Sequence, residues 1–393
     1  MAEPDIIIRI AFTTMPMATT PVWATVTPNA LEFYSKRGRQ HFLDRIEAGE
    51  AITILDNSQG YYWPGNTSSP YSPNILPGKR LNIQTSYGGS IRDVYTGFIE
   101  EWHPGWRLSA GSAPIMELRC ADLQKNLALF TLGTIGYNQE NSGTRVTNIL
   151  NDFGWPLGAR DISAGQTTLQ ATGTITDIKA MDHLFTVQHS ELGIFYQAPD
   201  GDVQFENRHH RLLNHTVSRG TFGDDIGEMK YQNAKFSYDD QYLYNDIRIT
   251  RLNGAEQVAK NSSSSANFGP RSFSRSDLLM TADTEAKDQA DYLLSKYKDP
   301  ALRVGELTIY PKSDPNNLYP KVLGFDISDR ITLRLNQASV DTDYYIEGIT
   351  HRYAATNERW ETTWQLSDAD TQVYWAIGVA GFSEIGETTR LCY

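Results

Sequence analysis

Two stretches of the sequence, separated by more than half the chain, carry nearly the same pattern, and this repeat constrains the fold more than any other feature. The first runs through Pro77–Ile83, Tyr95–Glu100 and Met116–Asp122. The second runs through Ile327–Leu333, Tyr345–Thr350 and Thr362–Asp368. Short apolar and β-branched runs of this kind, bounded by turn residues, predict three strands in one order in each copy. Gly97 and Gly348 are read as matching positions in the two middle strands. A chain that folds one β-unit twice more often builds an architecture than a single active site.

The segments between the copies read differently. Residues 56–78 hold four prolines and three glycines, which exclude a regular helix or a central strand. A loop of that length inside a compact domain is usually functional or held by a partner. From about residue 126 the apolar period lengthens. Val146, Ile149, Leu150 and Phe153 form a helical stripe ended by Gly154, and Ile178, Met181, Leu184 and Phe185 form a second one, with Gly193 as its expected stop. Asp200-Gly201 predicts a hairpin turn. Ser262–Ser265 reads as an exposed loop, and Ala286, Ala290, Leu293, Leu294 and Tyr297 as one helix face. The expected organisation is a first β-unit over residues 1–125 carrying the loop 56–78, and an inserted α+β domain over 126–230. A second β-unit with one helix follows over 231–368, then a C-terminal extension over 369–393. Within that extension the run Val373–Phe382, with Tyr374, Trp375 and Phe382, is too apolar to stand in water and predicts a packing or interface segment.

Composition narrows the function. With 40% hydrophobic and 21% charged residues the chain is an ordinary folding sequence. A net charge of −12, with no basic block, argues against a nucleic-acid-binding surface. The apolar run Ile6–Ile8 is too short for a signal peptide, and no stretch approaches the ~20 apolar residues of a membrane span. Only Cys120 and Cys392 are present, so neither a disulfide framework nor a Cys-rich zinc site is expected. These features predict a protein made in a cytoplasm, without a membrane anchor.

No constellation of catalytic residues emerges. Glu100-Glu101 are adjacent, and on a regular strand such neighbours face opposite ways, so they do not flank one bond. His209, His210 and His215 lack the spacing of a metal-ligand set, and a solvated or interface loop fits them better. Tyr61, Tyr62 and Trp63, with Tyr71 in the same loop, are the aromatic group that fits a protein interface, a plug for the unit's own core, or a carbohydrate platform. No enzyme activity and no cofactor are expected.

Ser35–Arg39, Ala48–Asn57, Gly60, Ser69–Pro73 and Leu76–Gly78 together resemble the opening of minor tail proteins of long-tailed bacteriophages, the tail-hub or baseplate-hub group. Ser383–Tyr393 resembles the ending of the same proteins. Glu191-Leu192-Gly193, Asp200-Gly201 and Phe205–Arg208 resemble their inserted domain, and Tyr345–Ile349 with His351–Tyr353 their second barrel. Gln59 before Gly60 and Trp63 before Pro64 depart from the family pattern. The resemblance implies two similar β-barrels per chain and a homotrimeric ring at the tail tip of a virion, made in the host cytoplasm. Its neighbours there would be the distal tail ring, the tape-measure protein and tail-tip fibre or receptor-binding proteins, and DNA would pass through the lumen only as transient cargo. A hexameric distal tail adaptor and a carbohydrate-binding tail-tip protein are the alternatives.

Overall fold

The computed structural model describes residues 3–105, 114–356, 359–369, 373–375 and 389–391. The first unit contains β1 (Asp5–Ile10), β2 (Ala24–Thr25), β3 (Ala30–Gly38), β4 (Glu47–Asp56), β5 (Arg80–Tyr87), β6 (Ser90–Gly105) and β7 (Ile115–Ala121). Strands β5, β6 and β7 form an antiparallel meander; β7 pairs β4, β4 pairs β3, and β5 pairs β1, giving the order β3-β4-β7-β6-β5-β1. Period-two alternation decides which side is buried. Ala51, Thr53 and Leu55 of β4 and Leu81, Ile83 and Thr85 of β5 point inward and are fully buried.

The Pro/Gly-rich loop folds over this core as a chain of linked turns. The amide of Gly60 donates to the carbonyl of Asn57, Trp63 to Gly60, Asn66 to Trp63, Ser69 to Asn66 and Ser72 to Ser69. Each bond spans three residues, so prolines and glycines satisfy the backbone locally where a strand or helix is barred. Tyr62 is fully buried, its hydroxyl donating to Asn29 Oδ1 at 2.9 Å. Its ring lies parallel to Tyr71, which stacks on Phe12 with centroids 4.1 Å apart. Tyr62 is therefore core and not a free interface residue, while Tyr61 and Trp63 are 40% and 41% exposed.

The inserted segment contains α1 (Leu123–Leu129), short strands β8 (Ile135–Tyr137) and β9 (Glu140–Asn141), and α2 (Ser142–Phe153). Strands β10 (Arg160–Ile162), β11 (Thr168–Leu169) and β12 (Gly173–Ile175) precede α3 (Ala180–Glu191), the hairpin β13 (Ile194–Gln197) and β14 (Val203–Glu206), and the short α4 (His210–Asn214). Val146, Ile149, Leu150, Leu184, Val187, Phe195 and Phe205 share one core here. Gly154 ends α2 with a φ of 84°, as the sequence predicts. The end of α3 differs. Leu192, not Gly193, takes the left-handed conformation with a φ of 55°. Gly193 is required for another reason: a Cβ there would sit 2.5 Å from the Glu206 carbonyl oxygen.

The remaining elements are β15 (Thr221–Gly223), β16 (Asn233–Ser237), β17 (Asp246–Arg251), β18 (Gln257–Lys260), α5 (Ser262–Phe268), β19 (Ser272–Leu278), α6 (Asp283–Tyr297), β20 (Arg303–Ile309), α7 (Pro315–Val322), β21 (Arg330–Leu335), β22 (Val340–Ala354) and β23 (Arg359–Asp368). The serine run is a helix and not a loop. Asn261 caps it by accepting from the Ser264 amide, and the buried Ser264 hydroxyl ties it to the Lys298 carbonyl. Strands β17, β18 and β19 form a separate sheet, which packs with α6 around its own core of Ile247, Ile249, Ala259, Ala286, Ala290 and Leu293. The expected second β-unit thus carries a small α+β layer of its own within residues 231–368. Strands β24 (Val373–Trp375) and β25 (Thr389–Leu391) pair in parallel. Tyr374 and Trp375 lie on β24, and Phe382 lies outside the described residues.

Strands β21, β22 and β23 form a second meander; β23 pairs β20, β20 pairs β16, and β21 pairs β15, giving β16-β20-β23-β22-β21-β15. This order matches that of the first unit strand for strand, except that β15 runs parallel to β21 whereas β1 runs antiparallel to β5. The two units are joined by β22 pairing β3, so their strands form one 13-stranded sheet. One hydrophobic cluster runs through both, from Ile8, Leu81 and Leu118 to Leu333, Trp360 and Trp364. Truncating Tyr62 to Ala is expected to cost roughly 3–5 kcal/mol of stability, as for a large buried side chain. Trp63→Ala should cost less than about 1 kcal/mol. Urea denaturation of the two variants followed by tryptophan-independent circular dichroism checks the contrast.

Candidate functional site

An extended, buried polar site lies where the two β-units and the insert meet. It begins with the β22:β3 ladder, in which Gly348 pairs Gly38 and Ala354 pairs Glu32, with five pairs between them. At the start of this ladder β22 carries a bulge between Ile346 and Gly348, which leaves Glu347 as the extra residue. The bulge breaks the inside–outside alternation and turns the Glu347 side chain into the interior, where it is fully buried.

Two glycines make the close approach possible. Gly38 has a φ of 94°, and a Cβ on it would lie 2.6 Å from the Gly348 Cα. A Cβ on Gly348 would meet the Arg39 carbonyl oxygen at 2.7 Å. With the backbones this close, the Arg39 amide donates to the Glu347 carbonyl at 2.9 Å. The Arg39 Nε donates to Glu347 Oε2 at 2.8 Å, and Arg211 on α4 donates to both carboxylate oxygens. Arg211 Nε reaches the Ser328 hydroxyl at 3.0 Å, and that hydroxyl donates to Glu206 at the end of β14. One carboxylate therefore ties the first unit, the insert and the second unit together.

Burial alone would push the Glu347 carboxyl up, but the Arg211 and Arg39 guanidiniums hold it well below the usual carboxylate range. Burial would also lower the Arg211 guanidinium, and Glu347 raises it instead. A second ion pair supports the first, since Arg37 on β3 donates to Asp326 at 2.7 Å and to the Gln197 carbonyl at 3.2 Å. His210 Nε2 lies 3.6 Å from Glu206, and His215 Nδ1 lies 3.2 Å from Asp329. His210 and His215 thus each stand beside a carboxylate at the edge of this ion-pair network. Among the described residues no group of three or more potential ligands could hold a metal ion.

The structure also relocates the sequence candidates. In the β5:β6 ladder Arg80 pairs Phe98, and in the β21:β22 ladder Arg330 pairs Tyr345. That register sets Gly97 beside Tyr344 and Gly348 beside Glu101, so the two glycines are not equivalent positions. Gly97 is needed because a Cβ would meet the Ala121 carbonyl at 2.8 Å, whereas Gly348 serves the junction. Glu100 and Glu101 sit at a bulge of β6 between Ile99 and Glu101, where regular alternation does not apply. Glu100 pairs Lys125, and Glu101 lies 3.3 Å from His103, so they are surface ion pairs and not an acid–base couple. The aromatic loop is likewise divided, with Tyr62 and Tyr71 inside and Tyr61 and Trp63 outside. Sequence reasoning missed Arg39, Arg211 and Glu347; the signal within reach was Gly38, in the turn-like Arg37-Gly38-Arg39.

No protein-family model matches the sequence, and no curated protein matches it. Solved structures do match. A tail protein from Neisseria meningitidis superposes with a TM-score of 0.63 at 13% identity, covering 93% of this chain and 97% of that one. The 43 kDa tail protein of prophage MuSo2 from Shewanella oneidensis gives 0.59 at 12% identity, covering 93% and 98%. An Escherichia coli protein described as a type VI secretion component with structural similarity to T4 phage tail proteins gives 0.50 at 9% identity, covering 93% and 77%. The chain has the fold of these tail proteins and of the type VI secretion component.

Removing the carboxylate charge by Glu347→Gln leaves two buried guanidiniums uncompensated, and is expected to cost roughly 3–5 kcal/mol. A drop of less than about 1 kcal/mol in chemical denaturation would show that the site is not a lock. The junction also carries a pH dependence. His351 on β22 and His41 beyond β3 are buried, and burial first of all lowers each to about 3. Their folded values lie below the unfolded one, so below about pH 6.5 the unfolded chain takes up protons that the native chain refuses. Stability is therefore complete above about pH 6.5 and falls as pH drops toward their folded values. His351→Gln should flatten the slope between pH 6 and 4 by about 1.4 kcal/mol per pH unit, read from melts across that range.

Proposed function

We propose that the chain is a structural hub protein of a phage tail, three copies of which close into a ring at the tail tip. The observation that carries this reading is the matched strand order of the two units within one sheet. Two like units per chain supply six positions from three chains, so a three-fold ring presents a six-fold face to a tail ring. Superposition over nearly the full length of two phage tail proteins supports it. A hexameric adaptor needs only one such unit per chain.

The partners that the family resemblance implies fit this reading: the distal tail ring, tip fibres or receptor-binding proteins, the tape-measure protein, and DNA as transient cargo in the lumen. The net charge of −12 supports a conduit that phosphates do not adhere to. The role is structural and needs no cofactor. Light scattering on the purified chain should return three times the 44.2 kDa chain mass. A sixfold mass would favour the adaptor, and a monomer at every concentration would remove the ring.

A further inference from the structure

The loop after β3, the end of α3 and strand β19 meet around a small polar cavity of about 10 Å³, the room that one water-sized particle takes up. Its wall includes Arg39, Asp44, Gln188, His189 and Arg275. Arg39 is buried, and its guanidinium is only partly used. Nε donates to Glu347 at 2.8 Å and Nη1 to the Asp44 carbonyl at 3.4 Å, while Nη2 is out of water without an acceptor. Arg275 is partly buried, donates to the Leu43 carbonyl at 3.3 Å and stands over the Phe273 ring at 5.2 Å. Among the described residues it has no carboxylate partner.

The surroundings of the cavity are positive. Glu347 is shared between Arg39 and Arg211, and the partly buried Asp44 carboxylate forms an ion pair with neither Arg39 nor Arg275. Arg45 and Glu47 stand exposed to water close by and are of opposite sign. Burial first of all, and then the Arg39 charge, lowers the Arg275 guanidinium to about 10. Burial again, and then the Arg275, Arg45 and Arg39 guanidiniums, lowers His189 to about 3, so its imidazole is neutral. A water molecule here would accept from the guanidinium donors and leave their charge uncompensated. A small anion would do both.

We propose that this cavity binds a monatomic anion, chloride, between the Arg39 and Arg275 guanidiniums. The volume is too small for phosphate, sulfate or a carboxylate ligand. The ion joins the first unit, through Arg39, to the layer under α6, through Arg275 on β19, beside the last turn of the insert helix α3. It makes a second electrostatic joint next to Glu347, one whose counter-charge comes from solution and not from the chain.

Urea denaturation of the full chain in sodium chloride and in sodium gluconate at matched concentrations separates binding from screening, with Arg275→Gln measured alongside. A ligand of the native state lowers the unfolding equilibrium constant in proportion to its concentration once that exceeds Kd. The expected result is a fall approaching tenfold for each tenfold rise in chloride, beyond any change in gluconate, and lost in Arg275→Gln. Crystals of the parent chain grown in sodium bromide should show an anomalous peak in the cavity, a readout that stands whether or not Arg275→Gln folds. Equal stability in the two salts overturns the site, and a bromide peak beside that result marks an adventitious ion only. A chloride effect that survives in folded Arg275→Gln, or a parent map without the peak, overturns it as well.

Discussion

One carboxylate, buried at the meeting of three parts of the chain, sets the terms for the rest of the structure. Glu347 is out of water and needs compensation on both oxygens. Arg39 and Arg211 supply it only when the loop after β3 and the short helix α4 both stand against the bulge of β22. A network of this type contributes less as net attraction than as a condition, because any arrangement that omits one partner strands a charge in the interior. The two β-units and the insert are therefore coupled through chemistry that tolerates few alternative packings.

The backbone prepares this site before the side chains complete it. A bulge displaces Glu347 inward, a left-handed glycine brings β3 close, and a second glycine opposite leaves room for it. The apolar core then runs without a break from one unit to the other, and Trp364 packs between Phe222 and Phe325 beneath the junction. The insert and the layer under α6 keep cores of their own, so their variation need not disturb the shared sheet.

Much of this was legible in the sequence, and the failures have physical causes. The two strand triplets, the stripes of α2 and α6 and the hairpin at Gly201 follow from local periodicity, which the chain obeys. Strand β3 did not announce itself, because Glu32, Ser35, Lys36 and Arg37 break up its apolar pattern and its pairing partners lie far along the chain. Glu347 reads as an outward-facing residue of an alternating strand until the bulge reverses it. Bulges also shift register, which is why Gly97 and Gly348 look equivalent in the sequence and are not. The serine run reads as a loop by composition, yet an Asn cap and one buried hydroxyl suffice to hold it helical.

Strand β22 lies beside β23 along nearly its whole length, beside β21 at one end and beside β3 at the other. A force drawing the two units apart along the strand direction would load the β22:β3 backbone bonds together, in shear, rather than opening them one after another. The Glu347 lock sits at one end of the same ladder and would resist the same displacement. Such a joint has no hinge. It makes a stiff segment from two units of one chain, suited to a part that must keep its shape while load passes through it.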